Sequence, residues 1–463
     1  MFSVAELAAA TLGRIVGDGS LAVSGISTDS RSVVTGELFV PLRGEHFDGH
    51  DYLAQVAAAG VSVCLAEERW LKQHELPATL TCVAVKDSLR ALGDLAAAYR
   101  QRFEPLVIGV TGSNGKTTTK EMLASILRLT GPGLATEGNL NNLIGLPRMV
   151  FRLQAEHRWA VLEMGMSEPG EIDRLAEIAQ PKVGIVLNAF PAHLQSMGSV
   201  EAVATAKGEL LFRVGDNGLA VVNGDDPRVV SLPQNPSARR ISFGIRRGEV
   251  RAENIRAHGA EGQSFTLVSP KGEAEVRLQA CGSHNVYNAL AAAAALLDEL
   301  PLTTIVEGLA RFTPYKGRFR IEQAGPLTLI DDSYNANPAS TGAALATLAE
   351  IKGTGRAFVA LGDMLELGGD EAELHRLVGL QAAQVADRLY LVGTLTAHTA
   401  EGAREAGMAA DSVCSGCDHA AVANDIIERA HPGDLILVKG SRGMRMEKIA
   451  ELIRQHYAKQ TVA

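Results

Sequence analysis

Thr111-Gly112-Ser113-Asn114-Gly115-Lys116-Thr117-Thr118 joins an apolar run, Leu106-Val107-Ile108-Gly109-Val110, to a helical pattern that begins Thr119-Lys120-Glu121-Met122. A buried strand, a glycine-rich turn and a helix in that order suit one chemistry, the wrapping of a phosphate chain. Glycine lets the backbone close around an anion, and the first turn of a helix offers N–H groups and a partial positive charge to it. Lys116 is placed to reach the β- and γ-phosphates of ATP, and the Thr117 hydroxyl to hold Mg²⁺. The loop is shorter than the full Walker spacing, because Val110 stands where the first glycine of that pattern belongs.

Other residues carry chemistry in less distinctive settings. Glu163 closes the run Trp159-Ala160-Val161-Leu162, and a carboxylate at the end of a buried strand suits a hard cation such as Mg²⁺. His193 follows Phe190-Pro191-Ala192, and Lys207 sits in Ala206-Lys207-Gly208. Read alone, they are a packed loop histidine and a helix-surface lysine. Asn285 and Asn288 open an alanine-rich helix in Ser283-His284-Asn285-Val286-Tyr287-Asn288, either as helix-start caps or as amides for a base edge. Arg318, in Gly317-Arg318-Phe319-Arg320, is either half of a surface ion pair or a guanidinium that meets the triphosphate when two domains close on a Gly317 hinge. Asp331-Asp332-Ser333-Tyr334-Asn335-Ala336-Asn337-Pro338 is dense in turn formers directly after an apolar strand.

The elements that must position these residues follow from pattern and length. A chain of 463 residues exceeds one ordinary domain and suggests about three. Ser3 with Glu6 makes a capping box before a short helix with Leu7 and Ile15 inward. Strands are expected at Val23–Ile26, Leu38–Leu42, Val61–Ala66 and Cys82–Val85, with helices at Asp51–Ala59 and Asp87–Arg100. Glu104-Pro105 marks a first boundary. Beyond it, apolar runs ending at Glu163, Asn188 and Asn223 alternate with helical patterns, the sign of a parallel sheet covered on both faces. A β-rich segment at 240–278 and a helix at His284–Leu300 follow, and the strand–helix rhythm restarts after Tyr315-Lys316-Gly317. The domains expected are 1–103, 104–314 and 315–463. The fold class is α/β: a small mixed N-terminal domain, a central P-loop parallel-sheet ATPase domain and a C-terminal Rossmann-like domain.

Composition narrows the function. A net charge of −9 offers no broad nucleic-acid surface. The five cysteines are scattered and odd in number, which points to the reducing cytoplasm, and Cys414-Ser415-Gly416-Cys417 reads as a loop with two thiols. No secretory leader and no membrane insertion are expected, since the apolar stretch Ala289–Leu297 is far shorter than the ~20 residues of a membrane span.

Taken together, these residues resemble the Mur ligase family along essentially the whole chain, and the shortened phosphate loop is that family's form. Thr136-Glu137-Gly138-Asn139-Leu140-Asn141-Asn142 is similar to the family's sugar-nucleotide loop, and Ser27-Thr28-Asp29-Ser30-Arg31 with Gly44 and Asp48-Gly49-His50 to its uridine-nucleotide domain. Asp331–Pro338, Leu361–Gly368 and Lys439–Glu447 resemble the branch that adds a D-alanyl-D-alanine dipeptide to a UDP-N-acetylmuramoyl tripeptide. The Asp-Asn-Pro-Arg motif of the branch that adds the third residue is absent.

The resemblance implies an ADP-forming ligase with an acyl-phosphate intermediate, ATP and two Mg²⁺ ions, working as a cytoplasmic monomer in peptidoglycan precursor synthesis. It implies catalytic roles for Lys116, Lys207, His193 and Arg318. ATP would be held by Thr111 to Thr118, Asn285, Asn288, Arg318 and Asp332, with Asp332 on the ribose. Substrates would be held by Ser27, Thr28, Asp29, Ser30, Arg31, Gly44, Asp48, Asn139, Asn141, Asn142, Tyr334, Asn335 and Asn337. Metal would be held by Thr117, Glu163, His193 and a carbamylated Lys207. A folylpolyglutamate-type ligase would share the phosphate loop without the N-terminal domain, and a non-catalytic nucleotide-binding protein would lack Lys207 or His193.

Overall fold

The structure, a computed structural model, describes residues 1–191 and 194–460. They group into two compact units, the first made of 1–107, 132–164 and 173–181, the second of 108–131, 165–172 and the chain from 182 onward.

In the first unit, strands run in the order Arg14–Val16, Thr81–Val85, Val63–Glu67, Glu37–Phe39, Gly25–Ser27, parallel except for the first pair. Val63–Glu67 and Thr81–Val85 are buried throughout, as continuous apolar runs in a covered parallel sheet must be. Ser3 and Glu6 form the capping box at the start of helix Val4–Thr11. That helix ends sooner than its apolar spacing suggests. Leu12 takes a left-handed backbone (φ 50°), and a Cβ on Gly13 would lie 2.6 Å from Val83. Only glycine lets the chain turn this tightly back onto Thr81–Val85, so Ile15 lies on a strand and not on the helix face. Gly133–Ala135 pairs parallel with Trp159–Glu163, also within this unit.

The second unit carries two sheets. In one, Leu106–Thr111, Val183–Val186, Leu219–Asn223, Arg239–Gly244 and Val250–Ala257 are successive parallel neighbours, and two antiparallel strands, Gln263–Ser269 and Gly272–Leu278, extend it. The alanine-rich pattern forms helix Ser283–Leu296, buried from Asn288 to Leu296, and ends short of Pro301; a separate helix, Leu302–Arg311, follows. The latter crosses helix Lys116–Leu127 at backbone contact: a Cβ on Gly308 would lie 2.3 Å from the Ile126 Cα, and Ser125 Oγ donates to the Gly308 carbonyl at 2.7 Å.

In the other sheet the order is Arg320–Ala324, Leu327–Asp332, Leu435–Lys439, Ala357–Gly362, Arg388–Val392, Val413–Ser415, parallel after the first pair. The last long strand of the chain is thus inserted between Leu327–Asp332 and Ala357–Gly362, which brings Asp332, Gly362 and Lys439 to one carboxyl edge, where open α/β sheets bind ligands. Next to the short edge strand, Cys414 and Cys417 are joined as a disulfide, in place of the two thiols expected; the turn at Gly416 (φ 74°) folds the pair together. Cys64, Cys82 and Cys281 are buried and free.

Candidate active site

Strand Leu106–Thr111 delivers the phosphate loop, and helix Lys116–Leu127 begins at Gly115, a cap with a left-handed backbone (φ 87°) and no side chain to offer. A Cβ there would sit 2.3 Å from Asn288 Oδ1, so glycine is required on steric grounds as well as for its backbone. Asn188, at the end of the neighbouring strand, shapes the loop from the side. Its carbonyl accepts from the Ser113 N–H at 3.1 Å, its Oδ1 from the Asn114 N–H at 2.9 Å, and its amide donates to the Asn114 carbonyl at 3.1 Å. Two loop N–H groups, those of Ser113 and Asn114, are thereby engaged by the protein itself. Lys116 Nζ curls back to donate to the Gly112 carbonyl at 2.7 Å. Asn288 and Asn285 lie beneath: Asn288 Oδ1 accepts from the Thr119 hydroxyl at 3.3 Å, and its amide donates to Asn285 Oδ1 at 3.2 Å. Asn288 thus touches the loop's own helix, and Asn285, which also donates to the Cys281 carbonyl at 2.8 Å, steadies Asn288 from behind.

Residues some 200 positions later meet this loop. Arg318 donates to the Thr117 hydroxyl at 3.2 Å. Asn337 donates to Asn114 Oδ1 at 2.7 Å and accepts from the Asn114 amide at 3.3 Å. Gly317 (φ 74°) turns the chain so that Arg318 lies over the ring of Tyr334, its Cζ 4.0 Å from the centroid. Arg318 Nε is covered and has no hydrogen-bond partner among the described residues. Asp332 accepts from the Phe319 N–H at 3.0 Å and from Lys439 Nζ at 2.6 Å. Lys439, only 2% exposed, also donates to the Asn335 carbonyl at 3.0 Å. His284 is covered nearby: burial pushes its imidazole down to about 4, with Asp332 pulling the other way and Lys439 adding to the fall.

Lys207, on helix Val200–Arg213, is not the surface residue its sequence setting suggests; it is 3% exposed. Burial, with the charge of Lys116 added, holds its ammonium well below the ordinary lysine range. Glu163, also 3% exposed, accepts from the Asn141 amide at 2.8 Å, and its backbone N–H bonds the Thr136 hydroxyl at 2.9 Å. His193 lies outside the described residues. Among the described residues, no three His, Cys, Asp or Glu side chains gather as a metal cluster.

The remaining candidates belong to the first unit. Ser27 to Arg31 form the bend after strand Gly25–Ser27, where Arg31 grips Asp29 with two hydrogen bonds, 2.9 and 2.8 Å, and holds that carboxyl well below the usual range. Gly44 admits the Phe47 ring 2.3 Å from where a Cβ would stand, and Asp48 binds the buried His50 ring at 2.6 Å. Asn142 Oδ1 accepts from the Gly145 N–H at 2.8 Å just before helix Gly145–Val150, and the Asn139 carbonyl accepts from the Asn141 N–H at 2.8 Å. Asn188 and Lys439, noted in the sequence only as a strand end and as part of a family-like stretch, were given no site role. The available signal was their place at the carboxyl ends of buried apolar runs, at Leu187-Asn188 and Val438-Lys439.

Three family models match: the Mur ligase family catalytic domain over residues 22–100, the Mur ligase middle domain over 110–296, and the Mur ligase glutamate ligase domain over 317–442. A UDP-N-acetylmuramoyl-tripeptide–D-alanyl-D-alanine ligase of Haemophilus influenzae is 34% identical over 96% of this chain and 97% of its own. Among solved structures, MurF from Acinetobacter baumannii superposes with a TM-score of 0.89 at 35% identity, covering 98% of each chain. A MurF ligase from Thermotoga maritima, in complex with ADP, gives 0.83 at 27% identity over 95% of this chain and 99% of that one. The fold class is the three-domain α/β architecture of these structures.

Proposed function

The chain belongs to the Mur ligase family, and on that premise we propose that it joins D-alanyl-D-alanine to the terminal carboxylate of UDP-N-acetylmuramoyl-tripeptide at the expense of ATP. The observation that carries this reading is the meeting of Arg318 with Thr117 beside the Asn114–Asn337 pair, which closes one region over the phosphate loop of another. In the proposed reaction the tripeptide carboxylate attacks the γ-phosphorus and the bond to ADP breaks. The dipeptide amine then attacks the acyl-phosphate carbonyl, loses a proton, and expels phosphate as the amide forms. The protein's part in such a reaction is placement and charge neutralisation. Lys116 exchanges its bond to the Gly112 carbonyl for phosphate oxygens. Arg318 turns its unpartnered Nε to the transferring group, held in plane by Tyr334. Residues 1–103 take the uridine nucleotide, with Asp29, Arg31, Gly44 and Asp48, and Asn139, Asn141 and Asn142 follow the sugar nucleotide. Asn285, Asn288 and Asp332 serve the nucleoside of ATP, and Tyr334, Asn335 and Asn337 face the dipeptide side.

The donor set fits Mg²⁺ in two respects. Glu163 is a covered carboxylate steadied by an amide, the oxygen chemistry Mg²⁺ prefers. Lys207 is a buried amine beside Lys116, where burial and the neighbouring charge disfavour an ammonium. The neutral amine adds to the carbon of carbon dioxide and gives up a proton to solvent, leaving a carbamate whose negative charge replaces the positive one of an ammonium and whose oxygens suit Mg²⁺. Thr117, Glu163, Lys207 and His193 are the proposed metal residues; bound Mg²⁺ would neutralise phosphate charge. Among the described residues no helix is long and apolar enough to cross a membrane, and a cytoplasmic monomer is part of the proposal. The test is phosphate release with UDP-N-acetylmuramoyl-tripeptide, with and without D-alanyl-D-alanine. Release that depends on both, with the ligated product in the mass spectrum, is expected; release indifferent to the dipeptide would overturn the reading.

A further inference from the structure

The turn Asn223-Gly224-Asp225-Asp226 ends strand Leu219–Asn223, and strand Val183–Val186 lies between that strand and the one that delivers the phosphate loop. Asn223 and Asp226 are buried. The Asn223 amide donates to the Leu187 carbonyl at 2.9 Å, and Asp226 Oδ2 accepts from the Ala189 N–H at 2.9 Å. On its other side the same segment is bound to the phosphate loop. The Leu187 N–H donates to the Thr111 carbonyl at 3.0 Å, Asn188 holds Ser113 and Asn114, and the Phe190 N–H donates to Ser113 Oγ at 3.0 Å. The packing is close: a Cβ on Gly112 would lie 2.8 Å from Leu187 Cβ. Asp225 ties the turn to a further element. Its carboxylate accepts from the N–H groups of Ile245, Arg246 and Arg247 at 2.8, 2.9 and 2.8 Å. It also accepts from the Tyr287 hydroxyl at 2.8 Å, on the helix that carries Asn285 and Asn288.

We propose that Asn223 and Asp226 are positioning residues for ATP, acting through Leu187 and Ala189 on the phosphate loop. The inference rests on the reading of that loop as the ATP site. The parallel ladder ends at Val186. Past it Leu187 and Ala189 are still buried, and buried peptide groups need partners. Asn223 and Asp226 supply them from one side while the loop is seated on the other. Their remaining oxygens are engaged as well: Asn223 Oδ1 accepts from the Asp225 N–H at 2.9 Å and Asp226 Oδ1 from the Arg228 N–H at 3.0 Å. Both ends of each side chain are thus bound to protein, and their part is placement. Removing one leaves a covered carbonyl or N–H unpaired and frees the segment to shift. Ser113 and Asn114 shift with Asn188, so the cost is read at the phosphates of ATP and not at the uridine nucleotide.

The experiment titrates the full chain with the β,γ-imido analogue of ATP and Mg²⁺ by calorimetry. The proteins are the wild type, Asp226→Asn, Asn223→Asp, Asn188→Ala and the double variant Asp226→Asn/Asn188→Ala. Asp226→Asn sets an amide N–H against the Ala189 N–H or, flipped, against that of Arg228. Asn223→Asp keeps an oxygen for Asp225 and loses the N–H for Leu187, and it carries the test should Asp226→Asn fail to fold. Partners one step behind a metal site cost about 10- to 100-fold in affinity or activity when lost, and a loss of roughly tenfold in analogue affinity is expected for each single variant here. KM for UDP-N-acetylmuramoyl-tripeptide should be unchanged. Because Asp226 acts through the segment that carries Asn188, the double variant should bind more tightly than the product of the two single losses predicts. Wild-type affinity in both Asp226→Asn and Asn223→Asp, with only the melting temperature lowered, marks a structural role and overturns the inference, as do losses that multiply in the double variant. A wild type that does not bind the analogue overturns the functional reading, and the inference with it.

Discussion

Asn114 and Asn337 exchange amide contacts, at 2.7 and 3.3 Å, across 223 positions of sequence. Asn337 is at the same time the N-cap of helix Pro338–Ile351, accepting from the Ser340 N–H at 2.8 Å. One side chain therefore anchors a helix and holds the phosphate loop, and the two duties can be separated by substitution.

Asn337→Asp keeps an oxygen for the cap but has no N–H to give Asn114, and it adds a negative charge beside a phosphate site. Stability within about 0.5 kcal/mol of the wild type and a loss of roughly tenfold or more in ligation are expected. Asn337→Ala should show the same loss and lower stability by about 1 kcal/mol as well. Thermal melts beside phosphate-release rates decide, and equal activity in both variants and the wild type would dismiss the clasp.

Lys116→Ala removes the one ammonium at the start of the phosphate helix. Loss of a transition-state donor of this kind costs ~3 kcal/mol or more, a fall of at least about 100-fold in turnover. The fold should persist, because the exchange leaves helix propensity no worse. Circular dichroism and turnover together check this, and near-wild-type turnover would remove Lys116 from the mechanism.

Lys207 ties activity to a stability cost. Its folded-state pKa lies well below the ordinary 10.5, so between those values the unfolded chain binds a proton that the folded chain does not. Stability therefore rises with pH across that window, and below it the cost of the buried amine is present in full. Lys207→Met should melt higher than the wild type at neutral pH in buffer free of carbon dioxide, with the gap narrowing as pH approaches 10.5, and should be inactive. Lys207→Ala should regain part of its activity with added acetate or another small carboxylate. Full activity of either variant without additive, or a gap that widens with pH, would refute the role.

His284 gives an acid limb. Its pKa falls from 6.5 to about 4 on folding, so the unfolded state binds the extra proton between those values and stability is lost as pH drops through them. His284→Asn should flatten that part of the pH–stability curve while leaving the region above 6.5 in place. Urea unfolding from pH 4 to 7 measures it, and an unchanged slope would show that the imidazole is not responsible.

The phosphate loop, the capping box at Ser3 and Glu6 and the alanine-rich helix were legible because each is local: a glycine, a cap or a run of small residues acts on its immediate neighbours. The strands at Arg14–Val16, Gly133–Ala135, Arg320–Ala324 and Val413–Ser415 were not. They are short or edge segments, and Arg320-Ile321-Glu322-Gln323-Ala324 reads as polar. Arg318 and Asn337 were legible as chemistry but not as neighbours of Thr117 and Asn114, since contacts across about 200 positions depend on how two sheets pack. Lys207 was misread from its helix because periodicity gives a face and not what covers it; the depth of burial comes from the surrounding elements. The Cys414–Cys417 pairing was hidden for a related reason, because two cysteines three apart meet only if the intervening turn is tight.

The crossing of Gly308 and Ile126 gives the site a fulcrum on its reverse side. The helix that starts at Lys116 is a stiff rod, and Ile126 lies about 15 Å along it. A side chain at position 308 would force the two helices apart at that point, so the seat of the helix that carries Lys116 depends on a residue with no side chain at all.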